Sequence, residues 1–177
     1  MNTAKLERHL SDMILEAQLK MGYESNTMLF NYSFTSLKNI TGCDCSIEEM
    51  NTKLEEFTDE ISDRFGKIQI TQSGSMFCLK VPPKGADYVH DNITPSEFLK
   101  EFIAVLGKWG TRELDIIQVF RKYSENVHVQ EVDNGEFDYL IFFEDGVPDD
   151  YYYCLTDEGL CITYHRFIRE DYLALGF

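Results

Sequence analysis

The chain predicts an α+β protein of two winged-helix-like halves, each with helices followed by antiparallel β-hairpins. Three observations carry this. Apolar residues recur at helical spacing in two separate blocks, each block runs on into segments where apolar and polar residues alternate, and a Pro-, Gly- and charge-containing stretch lies between them. With 177 residues, 44% hydrophobic and 14% aromatic, there is enough apolar material for one ordinary domain or two small ones, and disorder is not the default.

In the first half, Leu6, Leu10, Met13, Ile14 and Ala17 predict an amphipathic helix from about Thr3 to Met21, ended by Gly22. Met28 to Tyr32 alternates as a short strand, and a brief helix follows around Thr35 to Ile40, closed by Thr41-Gly42. Ser46-Ile-Glu-Glu49 has the form of a capping box, with serine and glutamate satisfying N–H groups that a first helical turn leaves unpaired. Ile47, Met50, Leu54, Phe57, Ile61 and Phe65 then give one apolar stripe, stopped by Gly66. Ile68 and Ile70, the turn Gln72 to Ser75, and Phe77, Leu79 and Val81 read as a β-hairpin.

Pro82-Pro-Lys-Gly85 and the polar residues up to Asn92 have the composition of a linker, so the domains are drawn as 1–83 and 94–177. Thr94-Pro-Ser-Glu97 reads as a second capping box with proline at the first helical position. Phe98, Phe102, Val105 and Leu106 face one way until Gly107, and Leu114, Ile117, Phe120 and Tyr123 share a side of a further helix. Val127 to Val132, a turn at Asp133-Asn-Gly135, the run Phe137 to Phe143, and a turn at Asp145 to Asp150 come next. Tyr151 to Leu155 and Leu160 to Tyr164 flank Thr156 to Gly159 as a last hairpin, before a short helix from about Arg169 to Leu175. The second half is therefore a helix-plus-antiparallel-sheet domain, open to the reading of a degenerate winged helix on element order alone.

Charge is concentrated. From Tyr123 to His165 there are eleven acids, nine Tyr or Phe and no Lys or Arg, so this segment carries −11 of the formal net charge of −15. Nucleic-acid affinity comes mostly from neutralising phosphates with Lys and Arg, so specific nucleic-acid binding is not expected. The helix from Glu48 to Phe65 opposes it too, with Glu48, Glu49, Glu55, Glu56, Asp59, Glu60 and Asp63 against Lys53 and Arg64. No run approaches the roughly 18 to 20 apolar residues of a membrane span, no signal peptide is read, and five cysteines without repeated spacing suit a reducing compartment. A cytoplasmic location without membrane association is the expectation.

The chemistry-bearing residues nominate no catalytic, cofactor-binding or metal-ligating set. Cys43-Asp-Cys45 lacks a second ligand pair, and His9, His90, His128 and His165 sit in no nucleophile or metalloprotease motif. If Leu155 faces Leu160, then Cys154 faces Cys161 with Thr163 and His165 on the same side, a pair read as buried thiols. Asp145, Asp149 and Asp150 lack the spacing of a calcium loop. Phe137, Tyr139, Tyr151 and Tyr153 read as one buried strand face. Consecutive aromatics at Phe142-Phe143 and Tyr151 to Tyr153 must also reach both sides of a sheet. Either both sides are covered or one shows aromatics rimmed by acids. The candidate interaction surface is Phe142, Phe143, Glu144, Asp145, Asp149, Asp150, Tyr151 and Tyr152.

Glu16-Ala-Gln-Leu-Lys-Met-Gly-Tyr23, Leu29-Phe-Asn-Tyr32 and Ser36-Leu37, within the first 40 or so residues, resemble a family of uncharacterised cytoplasmic proteins from anaerobic gut Firmicutes. That resemblance implies bacterial origin and cytoplasmic location. By fold analogy the chain also looks like the acidic tandem winged-helix accessory subunits of bacterial chromosome-condensation complexes. The expected role is a non-enzymatic, acidic protein-interaction module, adaptor or scaffold, that binds a protein partner and needs no cofactor. The rivals are a DNA-binding winged-helix regulator and an acidic inhibitor or immunity protein that mimics nucleic acid.

Overall fold

The computed structural model describes residues 1–132 and 135–176, and the chain divides into two compact units, Met1–Thr94 and Pro95–Phe177. Each is a mixture of helices and one small antiparallel sheet. The turn expected at Asp133 and Asn134 falls outside the described residues.

The first unit runs α1 (Thr3–Met21), β1 (Met28–Ser33), α2 (Phe34–Thr41), α3 (Ile47–Glu60), α4 (Ser62–Phe65), β2 (Gln69–Ser73), β3 (Met76–Val81) and α5 (Pro83–Asn92). The Asn2 side chain caps α1 by accepting from Lys5 N, and Gly42, in the left-handed region, closes α2. Both halves of the Ser46/Glu49 capping box are present, at 3.2 Å and 2.8 Å. The single long helix expected up to Phe65 instead breaks at Ile61. The apolar stripe nevertheless continues across the break, because Met50, Leu54, Phe57, Ile61 and Phe65 are all buried. The sheet order is β1-β3-β2, with Gly74-Ser75 as a two-residue hairpin loop. Phe77, Leu79 and Val81 point into the core beside Tyr32, while Leu29 and Met76 lie exposed on the other side.

The linker expected over 82–92 is helix α5. Pro82 stands at the position before it, without a side-chain cap, and Pro83 occupies its first turn, where a missing N–H costs nothing. Gly85, read as a breaker, is a close-packing residue. A Cβ there would stand 2.5 Å from Val81 Cγ1 and 3.2 Å from the Phe65 carbonyl oxygen, so only glycine lets α5 approach β3 and α4. Ala86 and Val89 are buried in consequence.

The second unit runs α6 (Glu97–Leu106), α7 (Glu113–Tyr123), β4 (Val127–Glu131), β5 (Tyr139–Phe143), β6 (Tyr151–Asp157), β7 (Ile162–Ile168) and α8 (Arg169–Ala174). The cap of α6 is Ser96, accepting from Leu99 N at 3.1 Å, and not Thr94, because a serine directly before the helix is a competent cap and leaves Pro95 outside it. Leu114, expected on the buried side of α7, is 62% exposed, and Ile116 and Val119 take the inward positions with Ile117 and Phe120.

The four strands form an antiparallel meander, β4-β5-β6-β7. On the side packed against α6 and α7, Phe98, Phe102 and Phe120 meet Phe143 and Tyr153 with ring centroids 4.9–5.1 Å apart in four of these pairs, mostly edge to face. Phe137, expected with Tyr151 and Tyr153, lies on the opposite side. The strand begins only at Tyr139, and the preceding residues change direction while Asp138 N donates to Leu155 O.

The last hairpin also differs from expectation. Cys154 pairs with His165 and Asp157 with Ile162, so the four-residue loop is 158–161 and Cys161 is exposed in it. The shift in pairing from Cys161 to His165 is an even number of residues, so alternation cannot detect it. The β5 lead-in pins the observed register. Asp138 accepts from Asp157 N at 2.7 Å, and Thr156 Oγ1 donates to Glu136 O at 3.0 Å.

Candidate interaction surface

Opposite the helices, the meander presents His128 from β4, Leu140 and Phe142 from β5, Tyr152 and Cys154 from β6, and His165 and Phe167 from β7. One part of this side is closed. Phe137, Leu140 and Cys154 are buried there, and α8 brings Tyr172 to 5.3 Å from Tyr152. Burial pushes the Cys154 thiol up to about 12, so it stays protonated and inert. Another part is half open, where three rings stack across neighbouring strands. His128 and Phe142 lie 4.6 Å apart, Phe142 and Tyr152 4.1 Å, at 22° and 8° between planes. Glu144 extends from the end of β5 with its carboxylate 3.7 Å from His128 Nδ1.

The structure divides the residues nominated from sequence. Phe142, Glu144 and Tyr152 come together on this half-open side. Phe143 and Tyr151 point the other way and are buried, Tyr151 beneath the Arg166 guanidinium at 4.1 Å. Asp149 is a half-buried brace for that buried side, accepting from Tyr151 N and from the Tyr153 hydroxyl. Burial pushes its carboxyl up to about 6, against the opposing pull of the Tyr153 hydrogen bond and the Arg166 charge. Asp145 folds its own loop, accepting from Asn126 Nδ2 and Val147 N, which hold it below the usual carboxylate range. Asp150 is exposed. Sequence reasoning missed His128, Phe167 and Tyr172. His128 stands opposite Phe142 and Phe167 opposite Tyr152 only through the observed pairing, with Phe167 beyond the strand expected to end at Tyr164, and Tyr172 arrives from a helix that strand parity does not describe.

Two other chemistry-bearing clusters lie away from this surface. Glu113, Glu131, Asp138 and Asp157 line a hollow of about 530 Å³ with Tyr139. Burial and these acids raise the Tyr139 hydroxyl, and Asp138 is engaged by Asp157 N. Cys45 is pushed up to about 11 by burial and by its hydrogen bond with Cys43, which makes it a poor thiolate. Among the described residues no group of three or more His, Cys, Asp or Glu is placed to hold a metal ion, and no helix is long and apolar enough to cross a membrane.

No curated protein and no solved structure matches the chain. A family model described as "Domain of unknown function, E. rectale Gene description (DUF3877)" matches residues 3–176, almost the whole length, and the protein belongs to that family.

Proposed function

We propose that this protein is a non-enzymatic, acidic interaction module, an adaptor or scaffold, that holds a protein partner on the half-open side of the second unit's sheet. The observation that carries the reading is the His128–Phe142–Tyr152 stack, half exposed, with Glu144 at its end. Rigid aromatic side chains supply contact area at low entropic cost, and acids at the rim favour a partner segment that sets Lys or Arg beside apolar residues.

We read the first unit as winged-helix-like. The order α1, β1, α2, α3, β2, β3 with sheet order β1-β3-β2 supports this. In that reading α3 takes the place of a recognition helix, and Glu48, Glu49, Glu55, Glu56, Asp59 and Glu60 are exposed on it, which disfavours phosphate approach and the DNA-binding rival. The second unit shares only helix, helix, strand, turn, strand with the first, and its two extra strands make it at most a degenerate copy. A cytoplasmic location goes with this role.

The test is affinity capture from the native bacterium with the intact chain and with a Phe142→Ser/Tyr152→Ser variant. A protein retained by the first and lost by the second supports the reading. Retention indifferent to both changes, or sub-micromolar binding of duplex DNA in an anisotropy titration, sinks it.

A further inference from the structure

Independently of the aromatic sheet side, we infer that this chain forms a two-fold dimer through the α6–α7 corner, each copy's Trp109 entering the hollow beside the other's. Trp109 is the chain's sole tryptophan and is 81% exposed. A tryptophan left in water is unremarkable by itself, but the loop that carries this one is tied to the end of α6. Thr111, buried at 7% exposure, donates its hydroxyl to Val105 O at 2.7 Å and Lys108 O at 3.0 Å, and Gly110 turns the chain at φ +77°. The backbone that carries the indole is therefore braced by the chain's own hydrogen bonds, which lowers the loop's share of the ordering cost of binding.

The indole itself forms one wall of a hollow of about 500 Å³ between α6 and α7, with Val105 and Val119 also in its lining. That volume lies within the roughly 300–1,000 Å³ of sites that take in bulky groups. Knob and hole thus sit on one patch. This is what a closed two-fold contact requires, since both copies must offer the same surface, whereas a knob whose hole lay elsewhere would build open chains. Charge points to the same occupant. The chain is −15 overall, so two copies repel over most approaches. The lining of this hollow carries Lys108 and Lys122 against Glu101 and Asp115, two of each sign, so two copies meet here without net repulsion.

The test is sedimentation velocity of the full-length protein over a wide concentration range, with tryptophan emission and iodide quenching recorded on the same samples. A dimer is expected whose formation shifts the emission to shorter wavelength and protects it from iodide. Trp109→Ala should raise the dissociation constant at least about thirty-fold, as for a central tryptophan anchor. Lys108→Glu, which leaves the indole in place but unbalances the charge, should weaken the dimer while circular dichroism stays unchanged. A monomer with water-exposed emission up to the solubility limit overturns the proposal, as does a dimer that Trp109→Ala leaves intact. Shielding of Trp109 only by a different protein in a purified complex overturns it in favour of a heterologous partner. A dimer lost with Phe142→Ser/Tyr152→Ser but not with Trp109→Ala places self-association on the sheet instead.

Discussion

The two sheets solve the same problem differently. In the first unit, Tyr32, Phe77, Leu79 and Val81 bury one side, and the other side carries mostly polar residues with Leu29 and Met76 exposed among them. In the second unit both sides are aromatic. One is sealed by Phe98, Phe102 and Phe120, and the other is closed around Phe137, Leu140 and Cys154 but open at Phe142 and Tyr152. A sheet that needs only one covered side is finished by its own helices. A sheet with two apolar sides and helices enough for one retains surface that can still gain by being covered, and this contrast separates scaffold from candidate site.

The sharpest test of the contrast is to cut into each sealed core. Phe57→Ala in the first unit and Phe98→Ala in the second should each cost about 3–5 kcal/mol in a urea titration followed by circular dichroism. A loss below about 1 kcal/mol at Phe57 would mean that the α3 stripe faces water. Gly85→Ala comes next, at about 1–3 kcal/mol, because the added methyl meets Val81 and the Phe65 carbonyl and the backbone carbonyl cannot step aside cheaply. A neutral result would show that α5 can withdraw from β3 without loss.

On the open side the expected effect is smaller. Phe142→Ala should lower stability by about 1–2 kcal/mol, since only part of the ring is out of water, and should leave the far-ultraviolet spectrum unchanged. A loss as large as that at Phe98 would erase the distinction between the two sides.

Asp149 gives the finest probe. Its carboxyl moves from an ordinary 3.8 to about 6 in the fold, so the folded state holds the proton more tightly than the unfolded one. The stability that this contributes is full below the unfolded value and is lost as pH rises through about 6. Asp149→Asn, which cannot ionise, should therefore gain on the parent protein between pH 4 and pH 6 and run parallel to it above. Urea titrations across that range check the sign, and a variant that falls behind as pH rises would show that Arg166 outweighs burial.

Element order and most boundaries could be read from local patterns, because caps and periodicity are local. Ser46 with Glu49, and the stripe from Met50 to Phe65, needed nothing beyond neighbouring residues. Pro82 to Asn92 misled because Pro and Gly have two uses. Proline starts helices as well as breaking them, and Gly85 marks a close approach that only the tertiary arrangement reveals. For the candidate surface, parity said that both sheet sides would be aromatic but not which residues the helices would cover. The position of Phe137 depends on a change of direction before Tyr139, and Tyr172 comes from another element altogether. Hairpin register failed for a similar reason, since Asp138 and Glu136, twenty or so residues upstream, decide it.

That register has a consequence for thiol chemistry. Were Cys154 opposite Cys161, an oxidant would close the hairpin on itself, a change within one molecule and independent of concentration. With Cys154 buried opposite His165 and Cys161 exposed at the hairpin tip, the exposed sulfur has no neighbour within its own hairpin to join. An oxidising medium would then tie chains together in pairs at their tips, faster as the protein is more concentrated, and a Cys161→Ser chain on a non-reducing gel would lose that product while keeping its four other thiols.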